Sequence, residues 1–274
     1  MTVAAPTPDF APRCFIDGEP ADAVALARIT QFNVGHFTSM QVRDRAVLGL
    51  DLHMARLVRD AREVFDAALD PQQVRKQVLE ALGEVCDASV RVTVFAKNWS
   101  LRQLDGPAQL GFMIGVAAPH RAGATPLRLW PVEHERFLPH IKHVATFDLF
   151  ALRRRARSEG FDDALFMDRA GRISEGTTWN IGFFDGRRVI WPQAAQLDGV
   201  TMRLLRRALE AEGVESQVRP LTLAQAGEFP AAFICNAGVW TQPVVRIGGT
   251  EFSADADFFA LLAHAGKRIE PGRL

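Results

Sequence analysis

The apolar positions of this chain change period several times, and each change marks an element. Arg13 to Ile16 reads as a strand running into a turn at Asp17-Gly18, and His36 to Arg43 alternates as a second strand turned back by Asp44-Arg45. From Asp51 onward Met54, Leu57, Val58, Ala61, Val64 and Phe65 recur at three- and four-residue steps, which predicts a helix with one buried face. Asp70-Pro71 sets a capping residue before a proline at the first helical position, and Val74, Val78, Leu82 and Val85 extend a second stripe. Val90, Val92 and Val94 alternate, and Gln109 to Ala118 is a largely apolar run; both predict sheet strands.

Residues 119–126 then collect proline, glycine and small side chains without period, which predicts a boundary. Beyond it the pattern predicts a strand at Leu127 to Pro131, a helix from Phe147 to Glu159 and a strand from Asp163 to Met167. A hairpin around Asp185-Gly186, a helix from Thr201 to Glu212 closed by Gly213, and a buried strand from Ala231 to Cys235 complete it. The reading is a two-domain α+β chain: a smaller N-terminal α/β domain over 1–118, a linker over 119–126, and a larger C-terminal domain over 127–274.

Composition narrows the function. The 274 residues carry 32 basic and 32 acidic side chains, a formal net charge of +0, so no overall field favours nucleic acid or an acidic membrane. Three scattered cysteines, Cys14, Cys86 and Cys235, make neither a disulfide framework nor a thiolate metal site, which fits a reducing cytoplasm. The first residues have no basic segment followed by an apolar core, and the uncharged run from Gly106 to His120 is too short to span a bilayer. Phosphate-loop, dinucleotide, zincin and nucleophile-elbow motifs are absent. His134, His140 and His143 match no metal spacing, so no metal is expected. Arg153, Arg154, Arg155 and Arg157 read first as a solvated helix face and second as an anion or interface site.

The chemistry concentrates in three segments: Ile141-Lys142-His143, then Ile173-Ser174-Glu175-Gly176-Thr177-Thr178-Trp179-Asn180, then Leu197-Asp198-Gly199-Val200-Thr201-Met202-Arg203. In this order they resemble the class IV, or fold type IV, pyridoxal-phosphate enzymes: branched-chain and D-amino-acid aminotransferases and aminodeoxychorismate lyase. Gly35-His36-Phe37-Thr38-Ser39 with Leu52-His53-Met54-Ala55-Arg56-Leu57 resembles the family's N-terminal signature, and Asp162 to Asp168 the strand before its glutamate. The resemblance implies a D-amino-acid aminotransferase-like fold and a homodimer with pyridoxal 5'-phosphate as cofactor.

It also implies roles that the residue chemistry can support. Lys142 is the catalytic residue, able to form a Schiff base with an aldehyde and then to move the α proton. Glu175 stabilises the protonated ring nitrogen. Arg56 and the helix start Gly199, Val200 and Thr201 offer donors to the phosphate, with Asn236 and Ala237 as a further phosphate loop. Thr178, Asn180 and Leu197 complete the cofactor residues.

Two departures bear on the substrate. Branched-chain enzymes carry a tyrosine five residues after the lysine, whereas Phe147 stands here and the chain has no tyrosine. The Arg-Gly element of many relatives is missing from 95–102, which leaves Lys97 or Arg102 for a substrate carboxylate. The expected reaction is transfer of an amino group from a small-molecule donor to a 2-oxo acid. The alternative is elimination of the lyase type, giving 4-aminobenzoate and pyruvate with Thr38 assisting the leaving group. A third reading is a pyridoxal-phosphate-binding protein without turnover.

Overall fold

The computed structural model describes residues 10–120 and 125–274. They group into two compact units. The first takes the described residues of Met1–Arg121 with Ile141–Ala145 and Pro271–Leu274; the second takes those of Ala122–His140 with Thr146–Glu270. A division into consecutive blocks therefore differs from the one observed. Ile141–Ala145 belongs with the first unit because its main chain pairs there: Phe37 N–H donates to Lys142 O at 2.8 Å and Val144 N–H to Gly35 O at 2.9 Å. Gly272–Arg273 likewise pairs antiparallel with Ala46–Val47. Of the expected linker, residues 121–124 lie outside the described residues, as do the first nine of the chain.

The first unit is an antiparallel sheet under two helices. Gly35–Arg43, Ala88–Ala96, Leu110–Ala117 and Arg13–Ile16 lie side by side in that order. Alternation sorts their side chains: Met40, Val42, Val90, Val92, Val94, Phe112, Ile114 and Val116 enter the core under the helices Leu50–Phe65 and Pro71–Leu82. Phe37, Ser39, Arg91, Thr93 and Met113 therefore take the opposite face. The second helix starts as its sequence predicts, with Asp70 accepting from Gln72 N–H and proline in its first turn.

The second unit is built on a sheet that closes on itself. Ile173–Gly176, Asn180–Phe184, Ala231–Asn236, Val239–Ile247, Leu127–Glu133 and Asp163–Met167 pair in that order, and the last returns to the first. The closing bridge between the first two pairs Glu175 with Asn180. Within this ring the parallel pairs fall where Leu127–Glu133 meets its two neighbours; outside it, Val189–Pro192 pairs antiparallel with Asn180–Phe184 and parallel with Ser216–Arg219. Leu165, Ile173, Ile181, Phe183, Ile234 and Val244 pack in one cluster. The helices Val200–Ala211 and Ala256–Lys267 add Leu205, Leu209, Phe258 and Leu262 to another. No helix among the described residues is long and apolar enough to cross a membrane.

His36 marks a cost inside the first unit. Its ring is fully buried, neither ring nitrogen has a hydrogen-bond partner, and Phe65 lies 5.7 Å away. Burial above all, with Arg56 and Arg59 adding to it, lowers its pKa from 6.5 to about 3. The unfolded chain thus takes up a proton below pH 6.5 that the folded chain refuses until about pH 3, so stability falls as pH drops through that window. At pH 5 His36 alone should cost about 2 kcal/mol relative to pH 7. Urea unfolding at the two pH values should show this loss in the wild type and a correspondingly smaller one in His36→Leu.

Candidate active site

The first unit presents a group of residues on one face of the Leu50–Phe65 helix. His53, Arg56 and Asp60 follow at spacings that share a face. Arg56 Nη2 donates to Thr38 Oγ1 at 2.5 Å, and Thr38 Oγ1 lies 2.7 Å from His53 Nδ1. Arg56 Nη2 also lies 3.4 Å from His53 Nδ1; since a guanidinium only donates, an unprotonated Nδ1 accepts there and takes the Thr38 proton, which leaves the ring proton on Nε2. Burial first, then the charges of Arg56 and Lys142, hold His53 well below the usual histidine pKa, in the neutral form this assignment needs. Arg56 is thereby held by a fully buried hydroxyl.

Lys142 is fixed through its main chain. Its C=O accepts from Phe37 N–H, and its own N–H donates to Asp60 Oδ2 at 3.3 Å. The Lys142 amine lies 4.9 Å from the centre of the Phe37 ring, and the Arg91 guanidinium lies 3.6 Å from the same centre. Arg91 was not among the residues expected from motifs. Strand parity could have found it: a lone arginine in the β-branched run 88–96, on the face opposite the core. Apart from Nε, which donates to Thr93 Oγ1 at 3.4 Å, its guanidinium has no hydrogen-bond or ion-pair partner among the described residues.

The two residues expected to meet a carboxylate lie elsewhere in this unit. Lys97 Nζ pairs with Asp17 at 3.3 Å, and Arg102 is exposed in the turn around Ser100 and Gln103.

The second unit gathers the others around its closing bridge. Glu175 is 5% exposed; its Oε1 accepts from Arg136 Nη1 at 2.9 Å and its Oε2 from Leu197 N–H at 3.2 Å. Asn180 Nδ2 donates to Leu197 O at 2.9 Å, so the bridged pair grips both main-chain groups of Leu197. The chain then enters the Val200–Ala211 helix through Gly199, a capping position with no side-chain cap. Val200 and Thr201 in its first turn are buried. An uncapped, buried helix start leaves main-chain donors for an anion. Asn236 Oδ1 accepts from Gly238 and Val239 N–H at 2.8 Å each, and its Nδ2 donates to Thr178 O at 3.2 Å, with Ala237 inside that turn.

Arg153 also belongs to this network. It donates to Thr178 Oγ1 at 2.7 Å and to Thr177 Oγ1, and it pairs with Asp163, which also accepts from Trp179 Nε1. The expected solvated face therefore holds for Arg154, Arg155 and Arg157, which are exposed, but not for Arg153, whose partners are Asp163 at the start of the next strand and the turn residues Thr177 and Thr178. His134 bonds Asp148 at 2.9 Å and meets Phe166 edge-on, and no group of three or more histidine, cysteine or acidic side chains that could hold a metal ion occurs among the described residues.

Each unit carries groups whose chemistry suits pyridoxal phosphate. In the first these are a primary amine and a held arginine; in the second, a buried carboxylate and an uncapped helix start. The turn at Gly199 is also tight. A Cβ there would stand 2.0 Å from Asn180 Oδ1, so Gly199→Ala must displace an amide that holds Leu197. We expect this substitution to lower stability by about 1–3 kcal/mol and to weaken phosphate retention, measured by thermal melting with and without added cofactor.

Residues 35–247 match the family model described as amino-transferase class IV. A Rickettsia bellii protein named "Probable branched-chain-amino-acid aminotransferase" is 25% identical over 240 residues, 84% of this chain and 83% of its own. Among solved structures, the branched-chain aminotransferase of Thermoproteus uzoniensis with norvaline superposes with a TM-score of 0.82 at 18% identity, covering 93% of each chain. The 4-amino-4-deoxychorismate lyase of Pseudomonas aeruginosa gives 0.80 at 20% identity, covering 93% of this chain and 99% of that one.

Proposed function

The chain belongs to the class IV aminotransferase family, and from that premise we propose that it moves an amino group between an amino acid and a 2-oxo acid, with Lys142 as the Schiff-base residue. Pyridoxal phosphate, the cofactor of this family, supplies when bound a ring that withdraws electrons and acidifies the α C–H of an amino acid. In this reading the Lys142 amine takes the α proton and returns it, its main chain held on two sides while its side chain moves. The Glu175 carboxylate, held by Arg136 and the Leu197 N–H, would supply the negative charge that keeps the ring nitrogen protonated. Arg56, Gly199, Val200 and Thr201 would hold the phosphate, with Asn236 and Ala237 assisting, and Leu197, Thr178 and Asn180 would complete the cofactor residues. The family also leads us to a cytoplasmic homodimer acting on small molecules, with neither nucleic acid nor membrane as partner.

The observation that carries the reading is the Phe37 ring shared by the Lys142 amine and the Arg91 guanidinium. An amino acid carries its carboxylate one atom from the carbon that loses the proton, so its recognition needs a cation near the lysine. Arg91 meets that need more directly than Lys97, which Asp17 engages, or Arg102 in its exposed turn. Thr38 favours transfer over elimination, because its hydroxyl is committed to Arg56 and His53.

Borohydride reduction of the cofactor-loaded protein, followed by peptide mapping, should label Lys142; a label on another lysine overturns the assignment. With an amino donor and no acceptor, the enzyme should release one equivalent of 2-oxo acid and stop until an acceptor is added. Continuous formation of 4-aminobenzoate and pyruvate from aminodeoxychorismate, with no such release from a broad donor panel, would favour the lyase.

Arg91→Gln should raise KM for the amino donor roughly 10- to 100-fold, as expected for losing a charge-assisted pair, while labelling of Lys142 persists. An unchanged KM would remove Arg91 from carboxylate recognition.

A further inference from the structure

Asp60 is a buried carboxylate that the roles above do not use. Its side chain has no exposed surface, although it sits on a helix whose next turn reaches solvent. Oδ1 accepts from Arg59 Nε at 2.9 Å and Nη2 at 2.6 Å, and Oδ2 accepts from Lys142 N–H at 3.3 Å. Arg59 is 44% exposed, so its pairing with an acid needs no burial of that acid. A well-packed apolar residue at such a position is often neutral or favourable for folding. The burial of Asp60 therefore calls for another reason, and the Lys142 N–H supplies one.

The register of the helix gives that contact its meaning. Arg56 and Asp60 stand one turn apart on the same face, separated along the axis by about 6 Å, and both are rigidly carried by the helix backbone. Arg56 holds Thr38 in the strand Gly35–Arg43, and the same strand pairs with the lysine segment at His36 and His143. Without Asp60 the Lys142 main chain would keep its strand contact but lose its tie to the helix.

We propose that Asp60 is a positioning residue: it binds the Lys142 main chain to the helix that carries Arg56, and so fixes the interval between the amine and the phosphate-binding guanidinium. This rests on the roles of Lys142 and Arg56 given above. Burial, the leading influence, raises the Asp60 pKa against the opposing pull of Arg59, the Lys142 N–H and Arg56, which agrees with a carboxylate kept at a cost to folding.

The test compares Asp60→Leu and Asp60→Asn with the wild-type full-length chain. Amide exchange is followed in peptides covering 141–145 and 50–65, with and without pyridoxal phosphate, beside melting temperature and kcat and KM. In Asp60→Leu we expect the Lys142 amide to exchange about tenfold faster or more, the helix 50–65 to keep its protection, and the melting temperature to hold or rise. Its kcat should fall about tenfold with KM for the amino donor little changed. Asp60→Asn keeps an oxygen acceptor and should restore most of the protection and rate. Unchanged exchange at Lys142, or acceleration spread over the whole helix with a lower melting temperature, overturns the proposal. If Asp60→Leu does not fold, the Asp60→Asn variant decides: kcat within about threefold of wild type supports it, and a tenfold loss overturns it. The exchange readout needs no cofactor. Labelling of a lysine other than Lys142 would therefore refute the functional reading without changing the exchange result.

Discussion

Closure of the second unit's sheet at the Glu175–Asn180 bridge is the contact on which that unit's arrangement depends. An open sheet leaves a row of unpaired main-chain groups at each edge, and returning the sheet to an earlier strand removes the edge at Ile173–Gly176, while Ser216–Arg219 stays at the outer side. Here the return is made by the four-residue strand Ile173–Gly176, which has Asp163–Met167 on one side and Asn180–Phe184 on the other. Bringing the ends together sets a carboxylate beside an amide. These two side chains then take the N–H and the C=O of Leu197, and with them the approach to the Val200–Ala211 helix. A single pairing thus determines where an acid stands and where a helix begins.

The turn between the two closing strands is supported separately. Asp163 sits at the start of its strand with little exposure, and an isolated carboxylate there would be costly. Arg153, Thr177 and Trp179 satisfy it, so the turn that follows Glu175 is tied to the helix Phe147–Ser158 by charge and hydrogen bonds. Asn236 adds a tie from the neighbouring strand pair through Thr178. Gly176 leaves no room for a side chain because the Trp179 ring lies over it, with a Cβ position 2.1 Å from that ring.

The first unit divides its work between the two faces of one sheet. Apart from the unpartnered His36 ring, the face toward the helices is apolar except where Thr38 meets His53 and Arg56, a polar cluster whose members satisfy one another. The other face carries Phe37 with its two cations. Because neighbouring residues of a strand point to opposite sides, Phe37 and Thr38 serve different purposes despite being adjacent. A shift of register by one residue would exchange them.

Period, capping and turn residues determined much of this architecture directly. The stripe from Met54 to Phe65, the cap at Asp70-Pro71 and the strand Asp163–Met167 are local signals, and the structure carries those elements at those places. Two helices give weaker local signals: Ala23–Phe32 buries none of its residues, and Ala256–Lys267 is apolar around most of its circumference. The order of Lys142, Glu175 and Gly199-Val200-Thr201 sufficed to name the family and its candidate residues, because motif spacing is itself a property of the chain. Tertiary structure decided the rest. Arg91 and Arg153 acquire their partners, Asp60 its hold on Lys142, and the lysine segment its place in the first unit through strand pairing and side-chain packing. Those contacts join residues tens of positions apart, and no local period encodes which distant strand will lie alongside.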